Sequence, residues 1–359
     1  MLRPWNHPTR RVYEAVNHRL RTLAGGRLAD RCRPVSIIFA ITELCNAKCV
    51  HCDIWKNRGK EDTPTLDQYK IVLSDLRNWL GRVQVTFSGG EALLKQYTPE
   101  LVAHGASIGL YMEVLTHGYW DDQTRIEKLA LANPWRITIS LDGMGETHTK
   151  VRGRDKFFEK TMRSIETVQR VRKDNNFNLT LRLKNVIMSH NLDDVVEVAR
   201  FARQDGMEIF FQPIEQNYNT PEDPAWFEHS DNWPGNTEKV ISIVQRLIEM
   251  KKEGFPIANS FNQLETMIPY FRNPGAMRVT VQSHSAHEHR PVCSALTTLD
   301  FRANGDVVSC FGQAPIGNIK SAPIQQIWEN RPRWWEGGCC LERRCTPAEK
   351  EQLSLVSIS

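Results

Sequence analysis

The 359-residue chain is long enough for two domains and a full core, and its 40% hydrophobic and 25% charged residues are ordinary for a globular protein. A net charge of +4 is too mild to point to nucleic acid on its own, and no apolar run approaches the roughly 20 residues of a membrane span. The first residues, Met1-Leu2-Arg3-Pro4-Trp5, carry no signal-peptide core, so the expected compartment is a reducing cytoplasm, where nine cysteines argue for metal or redox chemistry rather than disulfides.

Residues 1–34 hold eight arginines against Glu14 and Asp30. A basic amphipathic helix is predicted over 10–23, either as a solvated cap or as a contact to an acidic substrate or partner. From residue 35 the pattern alternates. Strand-like runs fall at 36–42, 82–88, 110–115, 135–141, 179–188 and 208–213. Helical stretches lie between them, near 66–80, 99–106, 122–132, 156–173 and 192–204. Six strands each coupled to a helix predict an α/β fold, an open (β/α)6 TIM-like partial barrel over 35–215. Residues 216–279 read as a long polar loop (216–235) followed by helices at 237–252 and 261–271. A small C-terminal domain is expected over 280–349, with a tail at 350–359.

The chemistry concentrates at Glu43-Leu44-Cys45-Asn46-Ala47-Lys48-Cys49-Val50-His51-Cys52, directly after the first strand. Parallel α/β folds keep their active sites at the C-terminal ends of strands. The C-x3-C-x2-C spacing offers three thiolates and no fourth. Ferredoxin-type sites cap all four irons of a 4Fe-4S cluster with cysteine, so three leave one iron open. The competing reading is a zinc knot, but zinc usually takes a fourth Cys or His nearby, and His51 sits awkwardly between the ligands.

In spacing and context this loop resembles the radical S-adenosylmethionine (SAM) superfamily. The resemblance implies that Cys45, Cys49 and Cys52 hold a 4Fe-4S cluster whose open iron chelates SAM, and that reductive cleavage releases a 5'-deoxyadenosyl radical. Gly89-Gly90-Glu91 at the second strand tip matches the family's Gly-Gly-Glu, which implies contact with the SAM amino group. Ser140 and Asp142 end the fourth strand on one face, where the family places polar groups for the ribose hydroxyls. His148-Thr149-Lys150-Val151-Arg152-Gly153 is similar to the family's His-Asp-x-x-Arg-Gly, with Thr149 replacing Asp. There Arg152 would pair with the SAM carboxylate. His51 stands where the family usually puts an aromatic against adenine. Asn185-Val186-Ile187, Gln212 and Glu215 resemble later cofactor or substrate contacts, or are simply polar residues of the barrel rim.

Five further cysteines cluster near the C-terminus. Cys293 and Cys310 flank an Asn304-Gly305 hairpin signal, and Cys339, Cys340 and Cys345 follow. None falls between Cys52 and Cys293, which reads as two metal centres in two domains. The set resembles a shortened SPASM, or Twitch, extension. That implies one auxiliary 4Fe-4S cluster on Cys293, Cys310, Cys345 and either Cys339 or Cys340. The remaining thiol is a bystander or a hydrogen-atom donor, and zinc competes for the whole set. His284, His287 and His289 are either solvated loop residues or metal or base candidates, His287 being the catalytic one. Trp334-Trp335 reads as packing.

The expected activity is a radical SAM oxidoreductase or epimerase acting on a small polar molecule such as a sugar, aminocyclitol or natural-product intermediate. A flavodoxin- or ferredoxin-type protein would donate electrons. Phe311 stands where sulfatase maturases place Asp, which tilts against peptide maturation, the first alternative. A non-catalytic Fe-S electron carrier is the second.

Overall fold

Along Ser36–Thr42 (β1) the odd positions Ile37, Phe39 and Ile41 are at most 2% exposed, whereas Ser36, Ile38 and Ala40 are half-buried. The same alternation runs through Gln84–Gly89 (β2), where Val85 and Phe87 are enclosed and Gln84, Thr86 and Ser88 are not. Period-2 patterning thus divides these two strands between a helix-covered outer face and an open inner one. The computed structural model describes residues 8–23, 28–221, 223, 225–274, 296–309 and 314–331.

Four more parallel strands follow: Tyr111–Thr116 (β3), Arg136–Ser140 (β4), Thr180–Ile187 (β5) and Glu208–Pro213 (β6). Between them run Leu66–Leu80 (α2), Thr98–Ser107 (α3), Thr124–Leu131 (α4), Gly145–Arg152 (α5), Phe157–Asp174 (α6) and Val195–Gln204 (α7). Each strand pairs with its successor, so all six C-terminal ends gather at one edge, as the expected open α/β barrel requires. Helix α2 starts at a capping box between Thr65 and Gln68 and buries Tyr69, Val72, Leu73, Leu76 and Leu80 on one face. Its C-terminal Gly81, at φ +76°, delays β2 to Gln84, two residues later than expected. Helix α7 starts at Val195 rather than 192 because Asn191 is held in a preceding turn. Its Oδ1 accepts from the Met188 amide and its Nδ2 donates to the Asp142 carbonyl.

The predicted N-terminal helix is Pro8–Thr22 (α1). It is tied to the barrel through Tyr13, whose hydroxyl donates to the Leu80 carbonyl, and through buried Asn17, which bonds both the amide and the carbonyl of Arg33. Helices Thr237–Lys252 (α8) and Phe261–Arg272 (α9) pack on each other beyond β6. No helix among the described residues is long and apolar enough to cross a membrane.

The predicted hairpin forms from Thr298–Phe301 (β7) and Asp306–Val308 (β8), turning at Gly305 with φ +90°. Gly317–Asn318 (β9) adds to β8, and Ile324–Glu329 (α10) follows. Strand β7 also lies parallel to β1, with Ile38 opposite Asp300 and Phe39 stacked on Phe301 at 3.8 Å. The hairpin therefore extends the barrel's own sheet, in the order β6-β5-β4-β3-β2-β1-β7-β8-β9.

The inner face carries charge. The Glu113 carboxylate accepts from Arg136 Nε and Nη2 at 2.7 and 2.6 Å, from Thr138 at 2.7 Å and from Gln84 at 2.7 Å. Burial alone would raise its pKa, but the Arg136 fork and Thr138 outweigh it and hold the carboxyl below the usual range. That stability is fully present above the unfolded value of about 4.3 and disappears as pH falls through the folded one. At pH 7, Glu113→Gln is expected to cost about 3–5 kcal/mol by leaving the Arg136 charge uncompensated. Denaturation midpoints of wild type and variant should converge as pH drops from 5 toward 3.

Candidate active site

The loop after β1 is sewn to three other segments by backbone hydrogen bonds. At its start, the amides of Gly90 and Glu91 donate to the carbonyls of Thr42 and Leu44 at 2.7 and 2.9 Å. Only glycine permits this approach. A Cβ on Gly89, whose φ is +119°, or on Gly90 would lie 2.2 Å from the Thr42 or Leu44 oxygen. In the middle, the amides of Lys48 and Val50 donate to the carbonyls of Arg152 and Val151 at the end of α5, both at 3.0 Å. Gly153 there is equally obligatory, since a Cβ would come 2.2 Å from the Lys48 oxygen. On the outer side, Cys52 bridges Tyr218 and the Asp53 amide donates to the Tyr218 carbonyl. The side chains of Asn217 and Asn232 both donate to the Val50 carbonyl. The polar loop after β6 is therefore a clasp on the cysteine loop.

Within this frame Cys45, Cys49 and Cys52 gather around Ala47 and Phe157, Cys49 buried and the other two half-buried. Burial pushes all three thiols up, Cys45 to about 12, although Arg152 opposes the effect at Cys49. A thiolate form thus needs positive charge brought to it. Three thiols on one loop, with no fourth Cys beside them among the described residues, suit a 4Fe-4S cluster, in which each thiolate would bind a different iron and the irons would supply the missing charge.

Arg152 links the loop to the barrel. Its Nη1 lies 3.5 Å from Cys49 Sγ and its Nη2 pairs with Asp142 Oδ2 at 2.6 Å. Burial alone would lower the guanidinium's pKa, but Asp142 and Cys49 outweigh it and keep Arg152 charged. Asp142 is fully enclosed just past the end of β4, where the chain has left the strand's alternation. Its Oδ1 accepts from the Val186 amide, and its own amide donates to His148 Nδ1. Burial favours its neutral form, yet the Arg152 guanidinium and the Val186 amide hold it below the ordinary carboxylate range. Burial lowers the imidazoles of His51 and His148 to about 4 and about 3, so both are neutral.

Glu91 is 1% exposed, and its carboxylate is occupied by the protein. It accepts from Thr116 Oγ1, the Leu93 amide and the His117 amide, and burial raises it to about 7. Ser140 ends β4 half-buried, opposite Lys184. Gln212 is half-buried at the end of β6, its amide 3.3 Å from Glu215. His51 is half-buried, its Nδ1 enclosed without a hydrogen-bond partner. The structure thus brings Cys45, Cys49, Cys52, His51, Gly89, Gly90, Glu91, Ser140, Asp142, Arg152 and Gln212 to one end of the sheet. Cys293, Cys310, Cys339, Cys340, Cys345 and the histidines 284, 287 and 289 lie outside the described residues.

One participant has no counterpart in the sequence motifs. His117 follows β3, and its Nδ1 accepts from the Tyr119 amide, which leaves Nε2 as the proton-bearing nitrogen. Nε2 lies 2.8 Å from Asn46 Oδ1 and 3.2 Å from Glu91 Oε2. It therefore joins the Gly-Gly-Glu turn to the residue after Cys45. Its place at a strand's C-terminal end was the available signal.

Residues 39–202 match the family model of the Radical SAM superfamily. This segment is a radical SAM domain. The family implies a 4Fe-4S cluster and SAM, which the thiol loop and its surroundings suit. The chain is 26% identical to an AdoMet-dependent heme synthase of Methanosarcina barkeri, over 83% of its own length and 82% of that protein's. It is 28% identical to the sporulation killing factor maturation protein SkfB of Bacillus subtilis, over 50% of its length and 42% of SkfB's. Its fold is similar to that of Streptococcus suis SuiB bound to the precursor peptide SuiA, with a TM-score of 0.61 at 13% identity, covering 95% of this chain and 76% of SuiB. The relatives named for peptide maturation fit the first alternative, peptide modification, better than the small polar molecule expected first.

Proposed function

We propose that this protein is a radical SAM enzyme that modifies a side chain of a peptide substrate. The observation that carries the reading is the three-thiol loop, clamped by the Gly-Gly-Glu turn, by α5 and by the loop after β6, above a polar barrel lumen. Cys45, Cys49 and Cys52 would hold the cluster. Bound there, cluster and SAM supply hydrogen-atom abstraction. The chain's own part is positional. Arg152 fixes Cys49 against Asp142, and the glycine cradles set the height of the loop over β2 and α5. Relatives named for peptide maturation support the peptide reading.

A second reading, a tetrapyrrole substrate, is favoured by the heme-synthase alignment, which spans 83% of this chain against 50% for SkfB. Cys293, Cys310, Cys345 and one of Cys339 and Cys340 form a proposed auxiliary cluster site, with net oxidation as the reaction class. A flavodoxin or ferredoxin as electron source and a cytoplasmic location complete the reading.

Anaerobically reconstituted protein, given SAM and dithionite, is expected to form 5'-deoxyadenosine, read by chromatography. No product from a protein with a full cluster complement would sink the enzyme assignment. Stimulation by Fe-coproporphyrin III, the tetrapyrrole for which a Methanosarcina barkeri relative (28% identical over 48% of this chain) is named, and not by peptides would select the second reading.

A further inference from the structure

Within the lumen, toward the N-terminal ends of the strands, lies a cavity of about 380 Å³, lined among others by Ser36, Gln84, Arg136, Thr138, Lys184 and Phe210. Its fixed charges are almost all paired. Arg136 grips Glu113, and Arg182 pairs with Glu208 at 2.6 Å. Lys184, half-buried on β5, is the exception, with no carboxylate at ion-pair distance among the described residues. Burial and the Arg152 charge both push its pKa down, while Asp142, Glu215 and Glu113 act in the other direction. Its ammonium thus faces the cavity with no carboxylate beside it, a position that an incoming anion can fill.

We propose that Lys184 anchors a carboxylate of the substrate inside the barrel lumen. This inference rests on the radical SAM reading and specifies the substrate's chemistry. One unpaired point charge matches one carboxylate. The hydroxyls of Thr86 and Thr138 already donate to Glu113, so a dianion would find little further donor capacity. Ile38, Leu115 and Phe210 provide apolar wall for the arm that carries the acid, with Phe210 in register beside Lys184. The ligand chemistry is thus a carboxylate on a short alkyl arm. An acidic peptide side chain and a tetrapyrrole propionate both have it.

The test uses full-length reconstituted protein and two matched probe pairs: N-acetyl-glutamyl amide with N-acetyl-glutaminyl amide, and Fe-coproporphyrin III with its tetramethyl ester. Saturation-transfer NMR reads the first pair and the Soret band the second. In wild type at least one acid is expected to bind tenfold or more tightly than its neutral partner, as a desolvated charge pair would give. Lys184→Met should abolish that preference and Lys184→Arg should keep part of it, with iron content and SAM affinity, by equilibrium dialysis, unchanged in both. The preference identifies the source, peptide acid or propionate. Equal binding of acid and neutral probe, or no binding by either pair, overturns the proposal. So does a matching fall in SAM affinity in Lys184→Met, which would assign the lysine to the cofactor's own carboxylate. If acid preference persists but no 5'-deoxyadenosine forms, the radical SAM reading fails and the anion site stands.

Discussion

Arg152→Met is expected to loosen the cysteine loop and to cost the protein iron. The substitution leaves the Arg152 carbonyl in place for the Lys48 amide but removes both contacts of the guanidinium, to Asp142 Oδ2 and to Cys49 Sγ. Asp142 has no exposure, and an unpaired carboxylate there should destabilise the fold by about 3–5 kcal/mol. Because Asp142 also engages β5 and His148, the damage would spread from the loop to the ends of β4 and β5. Arg152→Lys keeps the charge but lacks a fork that reaches carboxylate and sulfur together, so it should fall between. The double variant Arg152→Met/Asp142→Asn removes the stranded charge and should recover much of the lost stability without recovering the contact to Cys49. Iron per chain after anaerobic gel filtration, alongside denaturation midpoints, reads both effects. Normal iron and stability with weakened SAM binding would instead support the role that the motif resemblance implies for Arg152, pairing with the cofactor carboxylate.

That contrast shows what the sequence reveals and what it hides. The six strands and their order are legible because period-2 and period-3.6 patterns are local, and the thiol loop is legible because its spacing is. Asn304-Gly305 marks a hairpin for the same reason. Nothing local in Thr298–Phe301 says that it will pair with β1, some 260 residues earlier. That register is set by Phe301 stacking on Phe39 and by the edge which β1 would otherwise leave open. The period-2 rule also fails where a strand ends. Ser140 obeys it, but at Asp142 the chain has turned, so the carboxylate meets the Val186 amide and Arg152 in the interior. Glu91 is similar: the motif points to its position, whereas enclosure by Thr116, His117 and Leu93 decides where its carboxylate goes. Lys184 carries no motif at all. Only when the neighbouring charges are seen to be paired does it stand out.

Replacing Cys45, Cys49 and Cys52 together by alanine is expected to abolish SAM cleavage while leaving the barrel folded. The three side chains contribute little to the main core, meeting only the small group around Ala47, Cys49 and Phe157. The loop's backbone bonds to Thr42, Arg152 and Tyr218 do not involve sulfur. The informative quantity is the iron that remains. If the C-terminal cysteines hold a second 4Fe-4S cluster, anaerobic reconstitution should give about eight irons per chain in wild type and about four in the variant, with labile sulfide falling in parallel. Four falling to none would mean that Cys293, Cys310, Cys339, Cys340 and Cys345 bind zinc or nothing. Net oxidation through an internal acceptor would then have no basis, and the substrate's remaining electron would need another destination. Iron unchanged by the triple variant would remove the first cluster from this loop, and with it the reason for the glycine cradles and the Arg152 contact to converge on these three thiols.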